Sequence, residues 1–460
     1  MPSALSMLNT YLEKAAIHPT PSDNNNGYRK ALQDTSWADG LRGIAALFVM
    51  FSHMTMAFAR WIVIPSYGKN GPAHLMQRPG FRLVAQGAAW VAVFIVLSGF
   101  VNSLKALKLA RAGHIEPALS NLATSSFRRS FRLVLPATAA TILSWFITQT
   151  GAYDTAKKSD AYWLYTTSPN PSSSWGTAVE DLVHAIRTTW TYNPENPYDQ
   201  PQWALLYLLQ GSMFVFAALL VTINLAPRWR IMTIMLLYFW SWNWGIKLGD
   251  PMVGANVFTG IILAELNHSE YPLRFARFSP LFAPPLVACA LAFMSFPSQF
   301  QDWAPWSALL LRWYWRIAPQ NAELMRFWPT LGAQILTFTV VMSPHLRRAL
   351  SHRWLLWLGK ISFPLYLLHG SFMRSILTWL LFARSKLTEM EEEGHKYMRY
   401  PLPGAPTFLV VMPIFMLILL TATHFWATKV EPHFGTITKT AEEVMFQRGD
   451  KNPTLPVRRD

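Results

Sequence analysis

The chain has 460 residues, 52% hydrophobic and only 14% charged, with 21 tryptophans and a mean hydropathy of +0.18. Soluble domains carry nearer a quarter charged residues, so long apolar runs with few charges indicate a polytopic membrane protein and exclude an enzyme held by one anchor. The formal net charge of +15 raises nucleic acid as a partner, but Lys and Arg cluster in short segments between apolar runs, as in cytoplasmic loops, which sets nucleic acid aside.

The sole cysteine, Cys289, leaves no intrachain disulfide and no metal site built on several thiolates. Residues 1–36 are polar, with Pro19, Pro21 and Asn24 to Asn26, and lack the apolar centre of a signal peptide. They read as a flexible cytosolic segment, and the first span must itself act as the targeting signal. Length and apolarity then predict about ten transmembrane helices in an all-α fold, at 41–64, 83–104, 133–149, 203–225, 231–248, 252–266, 281–296, 327–342, 361–382 and 408–427. The polar, proline-bearing stretch 150–202 reads as a long extramembrane loop. The tail 431–460 reads as polar and flexible, so the transmembrane domain is 37–430. Basic residues are densest in every second loop, for example Lys105, Lys108, Arg111, Arg128, Arg129 and Arg132 after the second span. That places both termini in the cytosol and the 150–202 loop on the opposite side. Arg312, Arg316 and Arg326 fall against this bias.

The first span carries the strongest chemical signal. In WADGLRGIAALFVMFSHMTM, Arg42 stands at the mouth and His53 lies inside the apolar run. Eleven helical residues turn about 1100°, close to whole turns, and rise about 16 Å. Arg42 and His53 therefore share a face, with His53 near mid-bilayer. Asp39 falls close to the same line. Ionisable groups at such depth are costly and point to function. A second histidine, His369 in ISFPLYLLHG, stands nine residues beyond Lys360, about 13 Å deep. It matches the depth of His53 on a helix entering from the same side, and Tyr366 shares its face. A buried neutral histidine can take a proton from a hydroxyl; the plainer reading of His369 is a structural histidine bonded to a backbone carbonyl near Pro364. Neither histidine has a third ligand at metal spacing, so no metal is expected.

Further along, Arg129 and Arg132 in FRRSFRLVLP lie three apart on one face of a helix start and match phosphate geometry, as they also match a topological signal. In VFIVLSGF, Gly99 suits close helix packing, and Ser98 lacks the glycine that would follow a nucleophile elbow. Gly211 and Ser212 likewise read as packing. Glu265 reads as an interfacial charge in preference to a partner of a site residue.

Together these pieces resemble the acyltransferase 3 family of integral-membrane O-acyltransferases, in a fungal-type form. The resemblance rests on Asp39-Gly-Leu-Arg42-Gly43 followed by His53, on Phe94 to Phe100, on Arg129 to Pro136, and on Ile361 to His369. It runs from Trp37 to about Ala427. It implies transfer of an acyl group, usually acetyl, from acyl-CoA to a hydroxyl, with His53 as the proton-transfer residue. Asp39 and His369 stand beside it as further catalytic candidates. Arg42, Arg129 and Arg132 are implied in donor binding, with Arg128 and Ser98 as neighbouring donor-side candidates. One departure stands out: Leu208 occupies the position where family members carry a Glu, with Gln202 and Gln210 as candidate replacements. A weakly active or inactive binding protein, or a transporter, is the alternative that this departure motivates. The acceptor expected is a hydrophobic small molecule, in fungal secondary metabolism, and the location expected for a eukaryotic chain is the endoplasmic reticulum membrane.

Overall fold

A computed structural model describes residues 21–191, 195–245, 249–392 and 395–446. Expectations for 1–20, Pro194, 246–248, Glu393 and 447–460 fall outside these residues.

The chain is a helical bundle with one small hairpin. The long helices are α1 (Pro21–Gln33), α2 (Trp37–Phe58), α3 (Gly87–Arg111), α4 (Ile115–Gln149), α5 (Trp203–Thr222), α6 (Pro227–Ser241), α7 (Pro251–Asn267), α8 (Ser279–Met294), α9 (Leu324–Met342), α10 (Arg353–Phe372), α11 (Ala405–Phe425) and α12 (Glu431–Met445). Each of the ten predicted spans has a helix on it. Among the described residues, seven helical segments are long and apolar enough to cross a membrane: α2, α3, α4, Gln200–Thr222, Tyr271–Met294, Arg353–Phe382 and Ala405–Met445. The chain is thus an all-α, polytopic integral membrane protein. α6, α7 and α9 do not meet that test.

Several boundaries differ from the sequence reading, for local reasons. α4 begins at Ile115, so Arg129 and Arg132 sit in mid-helix and not at a helix start. α8 runs unbroken through Pro284 and Pro285. The tail does not start out flexible: a π turn at Trp426–Val430 carries α11 into α12, which buries Thr438 and Glu442. Residues 150–202 fold into short helices, Asp154–Lys157, Tyr162–Thr167 and Trp175–Thr189, that close one end of the bundle. The stretch after α10 forms an antiparallel hairpin, β1 (Thr388–Glu392) on β2 (His395–Arg399).

Two glycine contacts set the packing around the site. A Cβ on Gly43 of α2 would stand 2.6 Å from the Gly359 nitrogen of α10. One on Gly99 of α3 would stand 2.4 Å from the Val257 oxygen of α7. Only glycine lets these backbones meet so closely, as small residues do at membrane helix interfaces. Gly99 therefore has the packing role its sequence suggested. Glu265 does not lie at an interface: it is fully buried, 2.7 Å from Arg111 and also paired with Arg230. Two guanidinium groups around one carboxylate offset the cost of burying it. Arg326 is likewise accounted for by Asp250 at 2.6 Å and Glu323 at 3.1 Å.

Candidate active site

α2 carries both ends of the site. At its entrance a cavity of about 280 Å³ is lined by residues of α2, α3, α4, α5, α10 and α12. Arg42, Arg129, Arg132 and Lys360 face it, with Asp39 and Glu431 as its two acids. Three separate sequence motifs thus converge on one space, together with Ser98 of a fourth.

The cations are held differently. Arg42 donates to the Ser362 hydroxyl at 3.1 Å and the Gly359 carbonyl at 3.2 Å, and pairs with Asp39 at 3.0 Å. Arg129 donates to Ser212 at 3.1 Å and Ser98 at 3.4 Å, and Asn102 donates to the same two hydroxyls at 3.2 Å each. Ser98 is therefore a ligand for a guanidinium, with no base beside it. Ser212 is more than packing: it is the hub of this polar group. Arg132 is exposed and has no hydrogen-bond or ion-pair partner among the described residues. Guanidinium groups held by neutral hydroxyls, or free, keep their charge for an incoming anion.

Arg128 is not part of this space. One residue of helix turns a side chain by about 100°, and Arg128 points to α12, where it binds Glu442 through both nitrogens, one at 3.0 Å. Asp39 also stands apart from the histidines. It is at the cavity mouth on Arg42, fourteen residues and about 21 Å of helix from His53. It can orient Arg42 but cannot reach a group on His53.

At the far end, His53 and His369 meet. Their ring centroids are 5.1 Å apart, as equal depth on two neighbouring helices requires. Both are buried, and His53 Nδ1 and His369 Nε2 have no hydrogen-bond partner. His369 Nδ1 lies 3.1 Å from the Leu365 carbonyl and 2.8 Å from that of Tyr366, so the backbone bond near Pro364 is present too. Tyr366 lines the cavity, 6.1 Å from the His369 ring, and its hydroxyl donates to the Pro201 carbonyl. It forms the partition between the cationic cavity and the histidine pair.

Three residues around the pair escaped the sequence reading. Trp163, from the 150–202 segment, tilts against His53 at 4.5 Å. Arg374 is buried behind it, 5.1 Å over the Trp163 ring, bound to the Tyr198 carbonyl at 2.9 Å and Thr167 at 3.1 Å. It is brought inward by the π turn Met373–Leu377 that extends α10. Asp199 is fully buried just before the span that contains α5, with Gln202 donating to one carboxylate oxygen at 2.9 Å and the other without a partner. Burial pushes its carboxyl up to about 7, against the downward pull of Arg374. The available signal was an acid placed directly ahead of an apolar run.

Leu208 lines the cavity where the family pattern has its Glu. Neither proposed replacement does. Gln202 is spent on Asp199, Thr141 and Asn196, and Gln210 lines a separate cavity with Tyr207 and Glu323. No group of three or more metal-ligating side chains occurs among the described residues.

Apolar helices that wrap a cationic cavity, with two buried histidines behind it, define an integral membrane protein of group-transfer type. The chain belongs to the acyltransferase 3 family, whose acyltransferase domain matches residues 35–428, and it is an acyltransferase. It is similar to the O-acetyltransferase PaAT-1 of Phomopsis amygdali, 26% identical over 76% of this chain and 74% of that one. Acyltransferase R4 of a Phoma species is 24% identical, covering 75% and 85%, and acyltransferase clz18 of Cochliobolus lunatus is 22% identical, covering 85% and 92%. No solved structure matches.

Proposed function

We propose that the protein transfers an acyl group, acetyl by preference, from acyl-CoA to a hydroxyl of a hydrophobic small molecule, in fungal secondary metabolism and in the endoplasmic reticulum membrane. The observation that carries this reading is the convergence of Arg42, Arg129, Arg132 and Lys360 on one cavity that ends at Tyr366, beside the histidine pair. A cavity of about 280 Å³ is at the small end of ligand pockets. It suits the acyl-pantetheine arm of the donor, with the phosphates left at the cationic mouth. His53 takes the acceptor proton as the acceptor oxygen attacks the thioester carbonyl. The carbon–sulfur bond then breaks, and the proton passes to the departing thiolate. The name of the Phomopsis relative supports acetyl as the group and oxygen as the receiving atom.

The donor enters from the cytosol, and both termini lie there. Asn267-His268-Ser269 is a glycosylation sequon at the end of α7, on the cytosolic side in this orientation, so it stays unmodified. A glycan released from Asn267 overturns the orientation. Microsomes that carry the protein, given radiolabelled acetyl-CoA and an extract of host small molecules, test the function. Label in an organic-soluble ester supports it, and unaltered acetyl-CoA in every extract favours the non-catalytic binding protein that Leu208 motivates.

A further inference from the structure

The hydrogen positions on the two histidines follow from their neighbours. His369 Nδ1 faces two carbonyl oxygens, of Leu365 and Tyr366. Carbonyls only accept, so Nδ1 carries the hydrogen and Nε2 is a bare lone pair. That lone pair is buried and has no partner. On the facing ring, His53 Nδ1 is also buried without a partner. An orphaned acceptor and a nitrogen that can donate thus lie on rings whose centroids are 5.1 Å apart and whose planes differ by 34°. A modest ring rotation brings two such nitrogens within hydrogen-bond reach. His53 Nε2 does not share this burial and stays open to a reactant.

Resting on the reading of His53 as the base, we propose that His369 is its positioning residue: its Nε2 accepts the hydrogen of His53 Nδ1 and so holds His53 in the tautomer whose Nε2 is free to take the acceptor proton. The hydrogen does not leave His53. When His53 gains the acceptor proton, the positive imidazolium keeps a fixed acceptor at Nδ1. A neutral histidine here does the work that a carboxylate does in hydrolase triads, which suits a membrane interior where a second full charge beside Arg374 and Asp199 would be costly. The backbone of α10 fixes His369 in turn, through the same two carbonyls. The titratable and charged groups around the pair are Arg374, Asp199, Tyr366 and Tyr153.

Two variants separate this role from packing. In His369→Gln the terminal amide oxygen reaches the place of Nε2 and can accept from His53. In His369→Leu nothing accepts. Turnover of the full-length protein in microsomes, with KM for acetyl-CoA and kcat against pH, is the measurement. His369→Leu is expected to lower kcat about 10²-fold with KM within about twofold, while His369→Gln stays within about tenfold of the native kcat. The Gln variant keeps the single acid limb of the pH profile, because His53 still titrates. Equal kcat in both variants overturns the proposal while leaving His53 as base. Loss of activity in His369→Gln together with activity in His53→Gln overturns the reading of His53 itself. A measurement that needs no stable Leu variant is the ring-nitrogen NMR of 15N-histidine protein, with His53 assigned by difference against His53→Gln. Protonation at Nδ1 of His53 supports the proposal, and protonation at Nε2 overturns it.

Discussion

The two ends of α2 carry the same kind of cargo, an ionisable side chain, in opposite surroundings. Arg42 sits half-exposed at a wet mouth, tied to Asp39 and to neutral oxygens. His53, about 16 Å deeper, sits dry against Trp163 and His369 with a ring nitrogen unpaired. Charges at a wet surface are screened and serve to collect a multiply charged donor. Polar groups in a dry site interact more strongly and cost more when unpaired, so they are kept where a reaction uses them. One helix thus separates binding from chemistry along its length.

The largest effect that would break this division belongs to the dry end. General-base assistance is worth roughly 10²–10⁴ in rate, so His53→Ala should lower kcat by that factor, read from label transferred per unit of membrane protein. Next comes the wet end. Replacement of Arg129 and Arg132 by Ala should raise the KM for acyl-CoA by tenfold or more, since a charge-assisted bond contributes about 1.5–3 kcal/mol. The acceptor KM should hardly move. An unchanged donor KM would return both arginines to topology.

Asp199 gives a smaller and pH-dependent effect. A carboxyl moved from 3.8 to about 7 favours its neutral form in the fold, by on the order of 4 kcal/mol. Its folded-state value is raised, so the folded state binds more protons across that window. The native protein should therefore lose thermal stability as pH rises from about 4 to 7 and change little from this group beyond it. Asp199→Asn should flatten that slope in detergent melting curves, and an unaltered slope would assign the pH dependence elsewhere. The smallest effect is at Glu431, which shares the cavity with Arg42 and Arg132. A carboxylate there competes with donor phosphates for the guanidinium groups, so Glu431→Gln should lower the donor KM about two- to threefold, at modest surface electrostatics. A raised KM would show that Glu431 holds the arginines in place.

Most of the wet end was legible in the sequence because its residues come in local motifs. DGLRG, LSGF and R-x-x-R each place a side chain on a helix face by short-range spacing alone, and the structure joins Arg42, Ser98, Arg129 and Arg132 around one cavity. Arg128 was misplaced by a single residue, because adjacent positions on a helix do not share a face. The meeting of His53 and His369 was legible through depth, since a rise of 1.5 Å per residue turns sequence distance into height. The rest of the dry end was not. Trp163 and Asp199 come from a proline-bearing stretch without apolar periodicity, and their burial depends on how that stretch folds back over the bundle. Arg374 reads as an exposed end-of-helix arginine until the π turn at Met373–Leu377 rotates it inward. Glu431 reads as tail because the helix that carries it follows a second π turn at Trp426–Val430.

The most direct test of the division is to measure binding and turnover on the same membranes: equilibrium binding of acetyl-CoA to His53→Ala and to the Arg129→Ala, Arg132→Ala double variant, beside their transfer rates. The account predicts that His53→Ala binds the donor as the native protein does and transfers nothing measurable, while the double arginine variant binds weakly and transfers at saturating donor. Loss of donor binding in His53→Ala, or transfer by it at the native kcat, would contradict the account.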